Sequence, residues 1–129
     1  MNKYTITPEN LSDMFCHACA AVVILEPLIE HKKKSSNKWK AASNKYSMAH
    51  MQLSVDCQIE HMAIGMEVAK LKDIYKTCEQ LMRSMNYIPE GDIEIPLDHA
   101  IEIVYYSKQY EYMRNLYNVV ACNRNGKES

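Results

Sequence analysis

Four potential metal ligands form two pairs at helical spacing. Cys16 and Cys19 are three residues apart and Cys57 and His61 are four apart, so each pair would share one face of a helix. Thiolate and imidazole groups are the ligands of tetrahedral structural zinc. If the first two helices form an antiparallel hairpin that turns near residue 38, the two pairs meet as a Cys3His site. Because unligated cysteines are commonly buried core residues, we predict no cofactor and keep structural zinc as the alternative.

Catalysis is disfavoured by the absence of motifs. The chain has no Gly-x-Gly-x-x-Gly, no phosphate-binding loop and no His-Glu-x-x-His. No histidine follows a glutamate by three residues, which removes the Glu-x-x-His pair of di-iron bundles. A cysteine nucleophile paired with His17 or His61 would lack a glycine-rich elbow and a third orienting residue. We therefore predict a non-enzymatic protein without catalytic residues.

One stretch of the chain is basic and aromatic. Six lysines and no acid lie between His31 and Val55. This basic patch comprises Lys32, Lys33, Lys34, Lys38, Trp39, Lys40 and Lys45. Lysines can contact phosphates while aromatic rings stack on bases, so nucleic-acid binding is an alternative function. The same residues are also consistent with a solvent-exposed turn that binds nothing. They could alternatively dock on an acidic protein surface.

Composition indicates one small helical domain. The chain has 129 residues, 47% of them hydrophobic and 24% charged, with three glycines and four prolines. A β-sandwich or barrel needs more turn residues than this, so the predicted fold class is all-α. The net charge of −1 means that any nucleic-acid or membrane contact depends on a local patch. A second charged segment, Glu90 to Glu102, carries five acids and no base.

Three helices are predicted, over residues 8–34, 45–86 and 96–122. Thr7 and Pro8 are typical of a helix start, and a kink is expected near Pro27. The predicted connections are a basic turn over 32–44 and a Pro/Gly-containing segment over 87–96. Together they predict an elongated helical hairpin or three-helix bundle with a long central helix, forming a single domain over 1–129.

The third helix carries more apolar surface than one neighbour can cover. Ile103, Tyr106, Tyr110, Met113, Tyr117 and Val120 alternate in spacings of three and four, and a second apolar row flanks them. Tyrosine is favoured at protein interfaces, where one end is dry and the other wet. The predicted interface residues are Tyr105, Tyr106, Tyr110, Tyr112, Met113 and Tyr117. The partner would be a larger protein complex, and a homodimer is another way to cover this face.

The compartment and the kind of partner are predicted from composition. Five cysteines without a basic and apolar leader indicate reduced thiols, so we expect a cytoplasmic protein without membrane contact. Twelve lysines against three arginines fit an AT-rich genome. In style the chain resembles small early proteins of tailed phages, which implies a viral protein in the host cytoplasm. Such a protein would bind a host complex such as RNA polymerase or a defence complex.

Overall fold

The prediction of an all-α fold is confirmed. A computed structural model describes residues 2–84 and 91–128, with side chains described as far as Ala121. Its elements are β1 Lys3–Ile6, α1 Leu11–Tyr46, α2 Met51–Ser84, β2 Ile93–Pro96 and α3 Leu97–Glu128. The contacts divide the chain into two compact units, one containing residues 1–24 and 76–129 and the other Leu25–Tyr75. Helices α1 and α2 each contribute to both units.

The predicted basic turn over 32–44 is wrong, because these residues belong to α1. The chain reverses instead over residues 47–50, and α2 begins at Met51 and not at residue 45. Two cross-helix pairs fix this register. Ser36 bonds to His61, and Ser43 bonds to Ser54. These bonds occupy polar groups that would otherwise favour a turn.

The first helix starts three residues later than predicted. Thr7 to Asn10 form a turn closed by the Asn10 amide and the Thr7 carbonyl at 3.1 Å. Pro8 stands second in this turn, where its fixed φ is suited, and not in the first helical turn. The Asn10 carbonyl then accepts from the Met14 amide at 3.1 Å, which opens α1 at Leu11. The predicted end of the second helix at 86 and the predicted start of the connection at 87 lie outside the described residues. The third helix begins at Leu97, one residue after the predicted start, and extends to Glu128, beyond the predicted end at 122.

The unit that contains both chain ends has an apolar core. The beginnings of α1 and α3, the end of α2 and the ribbon of β1 and β2 all contribute to it. Its most buried apolar side chains are Ile6, Ala18, Ala21, Cys78, Leu81, Ile95 and Ile103. The two strands pair antiparallel from Lys3 opposite Pro96 to Ile6 opposite Ile93. The ribbon therefore places Ile6 and Ile95 in the core and leads directly into α3.

The second unit, Leu25–Tyr75, has a partly polar seam between its helices. Leu25, Leu71 and Ile74 are buried at one end of the seam. Farther along, Ser36 and Ser43 are 7% and 6% exposed, and their hydroxyls bond across to α2. Buried hydroxyls are tolerated where they have such partners, since an unpaired one would cost about 1–3 kcal/mol.

Candidate functional site

The first turns of α3 are fixed in the core of their unit. Ala100, Ile103 and Ser107 are all at most 5% exposed. The Ser107 hydroxyl hydrogen bonds with His17 Nδ1 of α1 at 2.8 Å. About two helical turns before Ser107, His99 Nδ1 hydrogen bonds with the Thr77 hydroxyl of α2 at 2.8 Å. Two polar contacts and an apolar face therefore set the direction of this helix.

From Lys108 to Ala121, the last residue whose side chain is described, α3 buries no side chain. Every residue from 111 to 120 is exposed, and Tyr110 is half-buried. The exposed large apolar side chains of the helix share its non-polar side: Ile101, Tyr105, Tyr112, Met113, Leu116, Tyr117, Val119 and Val120. The remaining side is polar and carries Glu111, Arg114 and Asn118. The second half of α3 is thus amphipathic, with nothing in the described residues covering its apolar side.

The apolar row that begins in the core runs on into solvent. Ile103 is 0% exposed, Tyr106 and Tyr110 are half-buried, and Met113 and Tyr117 are 57% and 73% exposed. Their alternating spacing of three and four keeps them on one stripe of the helix. We call Tyr106, Tyr110, Met113, Tyr117 and Val120 the α3 stripe. The apolar row is therefore packed at its beginning and exposed at its end. Its apolar residues continue beyond the point where the described residues of the chain cover them.

Two tyrosines lie where the packed and bare parts of α3 meet. The rings of Tyr105 and Tyr106 are 5.2 Å apart and nearly perpendicular, at 76°. Burial raises the pKa of the Tyr106 hydroxyl, with smaller contributions from Glu102 and Tyr105. Edge-to-face packing of this kind restricts the rotamers of both aromatic side chains.

An apolar cavity lies beside the start of α3. It has a volume of about 300 Å³ and is lined by Tyr4, Met14, Leu97, Ala100, Ile101 and Val104. Ile101, which is 61% exposed, connects this cavity with the flanking apolar row of Tyr105 and Tyr112. The apolar surface therefore extends from the β1 strand along α3.

The four predicted metal ligands are divided between the two units. Cys16 is exposed and Cys19 is half-buried in the unit with both chain ends. Cys57 is buried beside Trp39 in the other unit, and His61 Nδ1 lies 2.8 Å from the Ser36 hydroxyl and 2.9 Å from its carbonyl oxygen. Among residues 2–84 and 91–128, no three His, Cys, Asp or Glu side chains are grouped as a metal site. The register that brought the pairs together assumed a turn near residue 38, whereas the chain turns at 47–50.

Three thiols of α1 and α2 do influence one another. Burial raises the pKa of Cys19, and Cys16 raises it further. Burial, followed by the proximity of Cys19, raises the pKa of Cys78 to about 12. The raised pKa keeps the Cys19 and Cys78 thiols protonated at neutral pH, and a protonated thiol is a poor nucleophile.

The Cys78 thiol makes stability dependent on alkaline pH. The pKa of Cys78 is about 12 in the folded protein, whereas an unfolded thiol has a pKa of roughly 8.5. The resulting stabilisation of the fold is therefore complete below the unfolded pKa and is lost as the pH rises toward the folded pKa. We expect the urea midpoint in the presence of reductant to fall between pH 8 and pH 10. The fall should be smaller in Cys78→Ala, measured by circular dichroism, and an equal fall in both proteins would contradict this assignment.

The basic patch lies on a helix and not in a turn. Lys34, Lys38, Lys40 and Lys45 are exposed, and Lys32 pairs with Glu67 of α2. The spacing of Lys34, Lys38 and Lys45 gives them one face of α1, while Trp39 borders a cavity against α2. The indole is therefore turned away from the lysine face on which base stacking would require it.

Sequence reasoning missed part of the exposed apolar surface. The predicted interface list omits Ile101, Leu116, Val119 and Val120, which are all more than half exposed. It also omits an outward row on α2: Met51, Val55, Ile59, Met62 and Met66. Their spacings of three and four were visible, but buried and exposed rows look the same in a sequence.

Helix α1 is long and apolar enough to cross a membrane, a test that core helices of soluble proteins also pass.

Comparison with known proteins adds no relative. No protein-family model matches the chain, and no curated protein or solved structure is significantly similar to it. A functional hypothesis therefore depends on the geometry and chemistry of the molecule itself.

Proposed function

We propose that this chain is a non-enzymatic interaction protein that binds a protein partner through the apolar side of α3. The observation that carries the proposal is the apolar row of α3, which is buried at Ile103 and is 73% exposed at Tyr117 of the α3 stripe. Contiguous apolar surfaces of this kind on soluble proteins commonly mark interaction sites. Tyrosine and methionine are the residue types enriched in such interfaces.

Helix stability gives a second argument for a partner. Residues 108–121 make almost no buried contacts, yet they continue the helix. Isolated helices shorter than about 12–15 residues are marginal in water, and most helical stability comes from packing of an apolar face. A partner that covers the α3 stripe would supply this packing. Binding and ordering of the helix are therefore expected to be coupled.

The partner that we favour is a larger macromolecular complex, as the phage-like composition suggests, in a host cytoplasm. A second copy of the chain would cover the same surface and gives the homodimer alternative. Nucleic-acid binding through the basic patch stays the third prediction. The α3 stripe supports the first two, because an apolar helix side suits a protein surface and not a phosphate backbone.

The test compares two single variants, each of which introduces a glutamate: one within the α3 stripe and one beside it. Tyr117→Glu places a charge in the α3 stripe, and Asn118→Glu places it on the polar side one residue later. Proteins captured from a native extract by the wild type are identified, purified and titrated against both variants. We expect Tyr117→Glu to weaken binding at least about thirtyfold, since central aromatic residues contribute about 2 kcal/mol or more. Asn118→Glu should bind as the wild type does.

Sedimentation velocity of the three proteins separates the homodimer from the other arrangements. A wild-type dimer that Tyr117→Glu dissociates would identify a second copy as the partner. The proposal fails if the wild type is monomeric and no captured protein distinguishes Tyr117→Glu from Asn118→Glu.

A further inference from the structure

The cavity beside Trp39 combines an aromatic wall with two carboxylates. It has a volume of about 350 Å³, lies within the unit Leu25–Tyr75 and is lined by Trp39, Leu53, Asp56, Cys57, Ile59 and Glu60. Asp56 and Glu60 are four residues apart on α2, so successive turns place both on the same side of the cavity. Trp39 enters from α1, and its indole is 39% exposed. A ligand in this cavity would meet a ring, an aliphatic floor and negative charge together.

Neither carboxylate forms an ion pair with a described residue. The described parts of the chain contain two ion pairs, Lys32 with Glu67 and Arg83 with Glu79, and neither involves the cavity. Asp56 accepts a hydrogen bond from the neutral Gln52 amide at 3.0 Å. Both acidic residues line the cavity and are exposed, so a group that binds there would lie close to negative charge.

We propose that this cavity binds an arginine side chain presented by a protein partner. A guanidinium group is planar, stacks on an aromatic face and forms forked hydrogen bonds with carboxylates. The aliphatic stem of arginine would lie on Leu53 and Ile59, which are 42% and 58% exposed. A lysine ammonium is a compact and strongly hydrated charge that fits an indole and two separated carboxylates less well. The volume, at the lower end of ligand pockets, suits one side chain.

This site is independent of the α3 stripe. It lies in the other unit and uses charge and stacking, whereas the α3 stripe is apolar. A partner could use either surface, and failure of one proposal leaves the other standing.

The single tryptophan of the chain makes binding directly observable. The full protein is titrated with the capped tripeptide Leu-Arg-Leu while Trp39 fluorescence is recorded, at constant ionic strength. Matched peptides contain lysine, or citrulline, which keeps the shape of arginine without its charge. We expect a saturable change with the arginine peptide, a weaker one with lysine and none with citrulline. The variant Asp56→Asn/Glu60→Gln should bind the arginine peptide about tenfold more weakly, because each charge-assisted hydrogen bond becomes a neutral one.

The control variant is Asp98→Asn/Glu102→Gln. It removes the same two residue types at the same spacing from α3, so it changes net charge equally without touching the cavity. We expect wild-type binding in this control. The proposal is overturned if the arginine peptide leaves Trp39 fluorescence unchanged, if citrulline binds equally well, or if both double variants weaken binding to the same extent. Circular dichroism of each variant checks that the fold is retained.

Discussion

Ile103→Ala is expected to lower the free energy of unfolding by about 2–5 kcal/mol, the range found when a buried branched side chain is truncated. Ile103 is 0% exposed in the core shared by α1, α2, α3 and the strand ribbon. Removing three carbons there loses apolar burial and leaves a cavity that the surrounding side chains fill incompletely. Since small proteins are stable by only about 5–15 kcal/mol, the variant should unfold at a much lower urea concentration.

Ile101→Ala is the matched control for this change. It is the same substitution two residues earlier on the same helix, at a position that is 61% exposed. We expect a change within about 0.5 kcal/mol, as for most surface substitutions. Urea unfolding followed by circular dichroism at 222 nm compares the two variants with the wild type. Equal destabilisation of both would show that α3 is not packed in this orientation.

The second large effect is expected in the polar seam of the unit Leu25–Tyr75. The double variant Ser36→Ala/Ser43→Ala removes hydroxyls that lie 2.8 Å from His61 Nδ1 and 2.9 Å from the Ser54 carbonyl oxygen. Each substitution leaves a buried or half-buried polar group with fewer hydrogen-bond partners. The expected loss in the free energy of unfolding is about 1–1.5 kcal/mol at each site. The two sites share no partner, so their effects should add to about 2–3 kcal/mol.

Ser47→Ala/Ser84→Ala provides the comparison for the seam. These exposed hydroxyls donate to nearby carbonyls of their own segment, Asn44 and Gln80. Water can replace such bonds, so the stability should change by less than about 0.5 kcal/mol. Thermal unfolding of both double variants decides the matter. If the seam variant is as stable as this control, the cross-helix hydroxyl bonds do not stabilise the hairpin.

The helical class and the wide apolar side of α3 were predictable from the sequence. Scarce glycine and proline excluded most β folds, and the alternating spacing from Ile103 to Val120 identified a helix face. The surplus width of that face predicted an interface, which stays a prediction. The sequence does not distinguish where the face stops being buried, since Ile103 and Val120 occupy equivalent positions of the same stripe.

The hairpin turn was not predictable from local residue types. Ser35, Ser36 and Asn37 are common in turns because their side chains compete for backbone hydrogen bonds. In the structure the Ser36 hydroxyl is occupied by His61, a residue 25 positions away. Tertiary contact therefore overrides local propensity at this position. The zinc alternative depended on the same turn near residue 38. The observed turn at 47–50 therefore removes the register that would have brought the two ligand pairs together.

Only one of the two strands of the ribbon could be recognised from the sequence, and the reason is again a tertiary contact. The alternation of Ile93, Glu94 and Ile95 is typical of an extended segment, and β2 covers it. Its partner, Lys3–Ile6, is only four residues long and follows the first residues of the chain. A strand this short has little periodicity of its own, and its pairing depends on a segment about ninety residues away.

The sharp change in burial at Ser107 divides α3 into two parts that should tolerate substitution differently. Up to Ser107, substitutions at the buried positions Ala100, Ile103 and Ser107 are constrained by packing. From 108 to 120 the helix contributes little to the core, so its residues can change without loss of fold. If α3 binds a partner as proposed, a chain built in this way could exchange one partner for another by altering a few exposed positions, while the packed part that presents them stays unchanged.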